Sequence, residues 1–133
     1  MTYTELNRYF YIKKRMKTIN AELEQLSYLS ATLNDGMPRS TAVGDPVHAA
    51  FMKLNRLKEK KKFLVIRAVD ELAKLDEFIE SVDDIEMQEI LSQRFSLCRS
   101  YEAIGEDLFM HHTTVIRKLN SFLESTEVAQ NAQ

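Results

Sequence analysis

The residues with the most chemistry to offer lie between Ser100 and Leu123, where hydroxyl, imidazole, guanidinium and amide groups follow one another closely. A helical projection of this stretch turns about 100° per residue. With Val115 aimed at a core, Thr113, Arg117 and Asn120 point away from it. Thr114 and Ser121 lie beside them, and Ile116 and Lys118 fall on the flanks. Small hydroxyls with one Arg and one Asn suit base edges and phosphates. A face built only for solubility carries Glu and Lys instead.

Competing chemistries find little support. His111 and His112 are adjacent, so their side chains diverge by about 100° on a helix, unlike the i, i+4 pair that grips a metal. Cys98 is the single cysteine. It permits no internal disulfide and reads as a buried small apolar residue, in keeping with a reducing, cytoplasmic setting. The histidines are expected to cap or to touch phosphate, and neither a metal nor another cofactor is expected. There is no Gly-rich phosphate loop, no Gly-x-Ser-x-Gly and no His-Glu-x-x-His. The acidic pairs Asp76-Glu77 and Asp83-Asp84 sit at helix ends, where capping or solvation accounts for them. An enzyme is not expected.

A side-chain face of this kind needs two short helices and a tight turn between them. Ser100 supplies an N-cap for a helix over about 101–108, and a second helix runs over about 112–125. Ile104 and Leu108 give the first an apolar face, and Val115, Leu119 and Phe122 give the second its own. Gly105 stands where the two backbones would approach. Upstream, Asp83 with Glu86 forms a capping box for a helix over about 84–97, with Ile85, Leu91, Phe95 and Cys98 on its inner side.

The rest of the chain reads as two long helices. The 133 residues contain 3 Gly and 2 Pro, and four of these five fall in 36–46. So little turn-forming material excludes a many-stranded sheet. Tyr9, Ile12, Met16, Ile19, Leu23, Leu26 and Leu33 make a heptad seam on a helix over 2–33. Asn34-Asp35-Gly36 stops it, Pro38 prevents its resumption, and Asp45-Pro46 starts the next helix. Val47, Ala50, Leu54, Leu57, Leu64, Ala68, Leu72, Leu75 and Ile79 carry a second seam over 46–80, with Lys61 in an apolar slot. An antiparallel hairpin and a self-associating coiled coil use the same seams, and the sequence does not separate them. No apolar run approaches the length of a membrane span.

The net charge of −2 hides segregation. Residues 1–62 hold 12 Lys/Arg and 6 Asp/Glu, whereas 63–110 hold 4 and 12. Lys13, Lys14, Arg15 and Lys17 form one basic cluster. Arg56, Lys58, Lys60, Lys61 and Lys62 form another, and a hairpin would merge the two into one patch. That patch suits a phosphate backbone, or equally the acidic segment 70–107.

Segment 84–123 resembles region 4 of the sigma-70 class. The resemblance is carried by Gln93-Arg94-Phe95, by Ser100-Tyr101-Glu102-Ala103-Ile104-Gly105-Glu106-Asp107-Leu108 and by Thr114-Val115-Ile116-Arg117-Lys118-Leu119. Over roughly 5–125 the chain also resembles the phage RinA/ArpU-like transcriptional regulators, with a Met-Pro step (Met37-Pro38) between two long helices. The resemblance implies sequence-specific binding of double-stranded DNA and control of phage late or packaging genes. Phe109 replaces the turn glycine of region 4, so the turn must differ or strain, or the Phe instead fills a contact surface. Segment 97–124 carries three Arg/Lys against four Asp/Glu, a weak balance for phosphate binding.

The expected architecture is therefore all-α: a long antiparallel helical hairpin over 1–81 (loop 34–46), a three-helix region-4-like helix-turn-helix unit over 82–125 and a frayed tail over 126–133. Thr113, Thr114 and Arg117 would read bases. Lys118, Asn120, Ser121, His111 and His112 would hold phosphates, and the hairpin would dimerise or contact host RNA polymerase. A small terminase-like DNA-packaging subunit and a helical protein-binding adaptor without DNA binding remain alternatives.

Overall fold

A computed structural model describes residues 1–34 and 46–131, and every regular element in them is helical. The elements are α1 (Tyr3–Leu6), α2 (Arg8–Asn34), α3 (Pro46–Glu80), α4 (Ile85–Leu91), a π-helical segment (Ser92–Ser96), α5 (Tyr101–Leu108) and α6 (His112–Asn131). The interior of the 34–46 loop, with its Met37-Pro38 step and Asp45, lies outside the described residues, as do 132–133. Pro46 is the first residue of α3, where its fixed φ and missing N–H cost nothing.

The chain divides into two compact units, Met1–Tyr11 with Ala68–Gln133, and Ile12–Arg67. The division falls inside α2 and α3. The first and last turns of the long helices thus belong with the C-terminal elements.

In the first unit, the predicted opening helix is interrupted at Asn7. α1 is held by a capping box in which Thr2 Oγ1 accepts from the Glu5 N–H and Glu5 Oε2 accepts from the Thr2 N–H. Leu6 drops from α1 into the core beside Leu75 and Ile79 of α3. Val82, Met87, Ile90, Leu91, Phe95, Ile104, Val115, Leu119 and Leu123 complete that core. Phe95 is wholly buried, with the Tyr3 ring edge-on at 6.1 Å.

Three local expectations are corrected here. Asp84, not Asp83, caps α4, accepting from the Glu86 N–H at 3.1 Å. Met87, Ile90 and Leu91 take the inner positions, and Ile85, about 160° from Met87 around the helix, is turned outward at 79% exposure. Cys98 is not a buried helix residue: it is half-buried at φ 57° and follows Leu97, the C-cap of the π-helical segment. That segment adds a residue to the turn, with Leu97 N–H reaching back five residues to Ser92 O at 3.0 Å. The widened turn lets both Gln93 and Phe95 point inward, which a regular α-helix does not allow two residues apart.

In the second unit, the buried apolar residues are Ile12, Ile19 and Leu57, with Met16, Leu23, Leu26, Leu54 and Leu64 half-buried. Every one is a predicted seam position. Lys61 is half-buried among them, and Val47 is exposed.

α6 continues to Asn131, past the predicted tail boundary at 126. No described helix is long and apolar enough to cross a membrane.

Candidate nucleic-acid interface

α5 and α6 hold the residues singled out for DNA. Ser100 Oγ accepts from the Ala103 N–H at 3.2 Å and starts α5 as expected. α5 ends at Phe109, which adopts φ 58° and ψ 43°, and Met110 N–H returns to Gly105 O at 2.9 Å. This closure normally uses Gly, whose absent side chain removes the penalty of the left-handed region. Here Phe bears that penalty, and its ring is 97% exposed.

Gly105 is required by the returning backbone. A Cβ there would stand 2.5 Å from Met110 O and 3.3 Å from His112 N. The close approach is to the turn leading into α6, a sharper constraint than the helix crossing anticipated from sequence.

α6 opens on a cap of unusual type. The Thr113 N–H points to His111 Nδ1 at 3.3 Å, and Thr113 Oγ1 lies 2.8 Å from the same nitrogen. The two imidazoles lie 4.2 Å apart. The capping role foreseen for the histidines is thus carried by His111. No group of three His, Cys, Asp or Glu able to hold a metal occurs among the described residues.

Val115 and Leu119 are fully buried, and Thr113, Arg117, Asn120 and Ser121 are exposed. Thr114, Ile116 and Lys118 are half-exposed, as the projection placed them. Leu123 is buried, while Phe122 is half-buried with its ring 6.4 Å from that of Phe78.

Lys118 Nζ, expected on phosphate, lies 2.6 Å from Glu86 Oε1. Asp84, Glu86, Arg117, Lys118 and Ser121 share the walls of one shallow groove. The acidic start of α4 therefore borders the outward face of α6.

A second network lies under α5 and has no counterpart in the sequence reading. Gln93, 3% exposed, donates through Nε2 to Asp107 Oδ2 at 2.7 Å and to Glu89 Oε1 at 2.9 Å. Its Oε1 accepts from Arg99 Nη1 at 2.6 Å. Arg94 donates to Arg99 O at 2.9 Å and stacks over the Tyr101 ring at 4.0 Å. Burial pushes the Tyr101 hydroxyl above its ordinary pKa, helped by hydrogen bonding with Tyr3. The sequence signal was the tripeptide Gln93-Arg94-Phe95, but a polar residue beside a core aromatic does not announce its partners 14 residues away. Arg94, Arg99 and Lys118 are thus all engaged within the unit.

In the second unit, Lys13, Lys14, Arg15 and Lys17 are exposed on α2, and Lys58, Lys60 and Lys62 are exposed on α3. Lys61 is drawn into the seam. Arg15 reaches Glu22 only loosely, at 3.9 Å.

No protein-family model, curated protein or solved structure matches the chain.

Proposed function

We propose that α5, the turn at Phe109 and α6 form a helix-turn-helix that reads double-stranded DNA, and that the protein is a sequence-specific transcriptional regulator of the phage type, acting on late or packaging genes. One observation carries this reading: α6 turns Thr113, Arg117, Asn120 and Ser121 to solvent while Val115 and Leu119 hold it against the core. In this reading α6 enters the major groove. Thr113, Thr114 and Arg117 meet base edges. Asn120, Ser121 and the histidines meet phosphates, and Lys118 does so by exchanging Glu86 for a phosphate oxygen.

The Ile12–Arg67 unit is read as the antiparallel hairpin. Ile19 at 1% exposure and Leu57 at 5% need cover that their own helices do not supply. Pairing the seams supplies it and leaves the outer faces for dimerisation or for RNA polymerase.

Selection from a pool of random duplexes tests the reading. Enrichment of one motif is the expected result, and a pool that stays random contradicts it.

A second reading, a protein-binding adaptor, is favoured by the exposed Phe109 and by charge. The unit holding α5 and α6 carries 6 Lys/Arg against 15 Asp/Glu. In that case the selection enriches nothing.

A further inference from the structure

The Ile12–Arg67 unit has the opposite balance, 12 Lys/Arg against 5 Asp/Glu, a net +7. Part of this charge is ordered into a row. Lys53, Arg56, Lys60 and Arg67 follow one another on α3 at intervals of 3, 4 and 7, and all four are exposed. Helical geometry puts them within an arc of about 60° over a length of about 21 Å. The row is distinct from Lys58 and Lys62, which lie across the seam on the other flank. Its Arg56 and Lys60 belong to the cluster Arg56–Lys62 singled out in the sequence, and Lys53 and Arg67 extend it.

Such a row works against the helix that carries it. Cations at i, i+3 and i, i+4 repel one another. Between 46 and 67 the single acid is Glu59, about 60° from Arg56 around the helix and farther from the other three. Among the described residues none of the four has a carboxylate within ion-pair distance. Farther along α3 the ordinary pattern returns: Lys74 meets Asp70 at 3.1 Å and Glu71 at 3.9 Å. Within one helix, cations are neutralised locally in one stretch and left unneutralised in another.

We propose that Lys53, Arg56, Lys60 and Arg67 form a second nucleic-acid site that binds the phosphate backbone of duplex DNA without reading sequence. A straight, single-sign row of four long side chains matches a linear polyanion, which presents about one charge per 1.7 Å of duplex axis. The row supplies the backbone affinity that the acidic unit with α5 and α6 lacks. It does not depend on α6 reading bases. The competing occupant is the acidic surface of a second copy.

The test is fluorescence anisotropy of the full chain on a 30-base-pair duplex of arbitrary sequence, titrated from about 50 to 200 mM salt, a range over which phosphate contacts are strongly weakened. The quadruple variant Lys53→Gln, Arg56→Gln, Lys60→Gln, Arg67→Gln is compared with the wild type and with Lys53→Arg, Lys60→Arg. Circular dichroism checks that helicity is kept. The expected result is a log–log salt slope shallower by about 3 to 4, from about 0.9 per phosphate, and affinity at least about tenfold weaker at low salt. The arginine variant keeps the wild-type slope. An unchanged slope overturns the proposal, as does a wild-type chain that holds no duplex at low salt. So does a quadruple variant that only converts dimer to monomer in sedimentation with its salt slope unaltered, which assigns the row to a second copy. The α6 reading fails separately: there, arbitrary and selected duplexes bind alike while the row still sets the slope.

Discussion

Lys118 Nζ of α6 stands 2.6 Å from Glu86 Oε1 of α4, so a cation beside the outward face is shared with the protein's own acid. Both side chains are well exposed, and such a pair contributes at most about 1 kcal/mol. Glu86→Gln is expected to cost little stability and to release Lys118. Duplex affinity at low salt then rises by up to about fivefold, and the salt slope steepens by about one. Anisotropy titrations of the two proteins check this.

Gly105→Ala tests the turn. In an exposed helix the change is favourable by about 1 kcal/mol. Here the new methyl group meets a backbone carbonyl at 2.5 Å, which no rotamer relieves. We expect a net loss of up to about 2 kcal/mol in chemical denaturation, because overpacking costs about 1–3 kcal/mol.

Phe109→Gly has the opposite sign. The left-handed conformation costs a side-chain-bearing residue about 1–2 kcal/mol, of which the greater freedom of unfolded Gly takes back about 0.5–1 kcal/mol. The exposed ring contributes no burial. A gain of about 0.5–1 kcal/mol in the same denaturation series is expected from that difference. If the gain in stability comes with lost binding of a protein partner, the ring is a contact.

Gln93→Leu should be the most damaging of these changes. It removes the bonds of a buried amide to Asp107, Glu89 and Arg99, each worth about 0.5–1.5 kcal/mol net. Hydrogen exchange of the α5 amides should quicken, because the network joins the π-helical segment to α5.

Much of this was legible in the chain. The seam residues of both long helices, Ile12, Ile19, Leu57, Leu75 and Ile79, are buried because the 3.6-residue period leaves no other face for them. The outward set on α6 followed from the same geometry. The failures have local causes. Two consecutive aspartates offer two caps, and Ile85 lies opposite the Met87, Ile90 and Leu91 face that packing selects. The π-helical turn broke the phase between Leu91 and Cys98, which no periodic count anticipates. The Glu86–Lys118 pair and the Gln93–Asp107 bond join residues 32 and 14 positions apart, and such pairings arise only from packing.

The central claim is that the outward face of α6 reads bases, and Arg117 tests it most directly. On a selected duplex and its single base-pair substitutions, the wild type should discriminate by about 1–3 kcal/mol at the pair facing Arg117. Arg117→Ala should lose that preference at one position and keep the others. If Arg117→Ala instead weakens every duplex by the same factor, or none, α6 does not read bases through this residue and the account is contradicted.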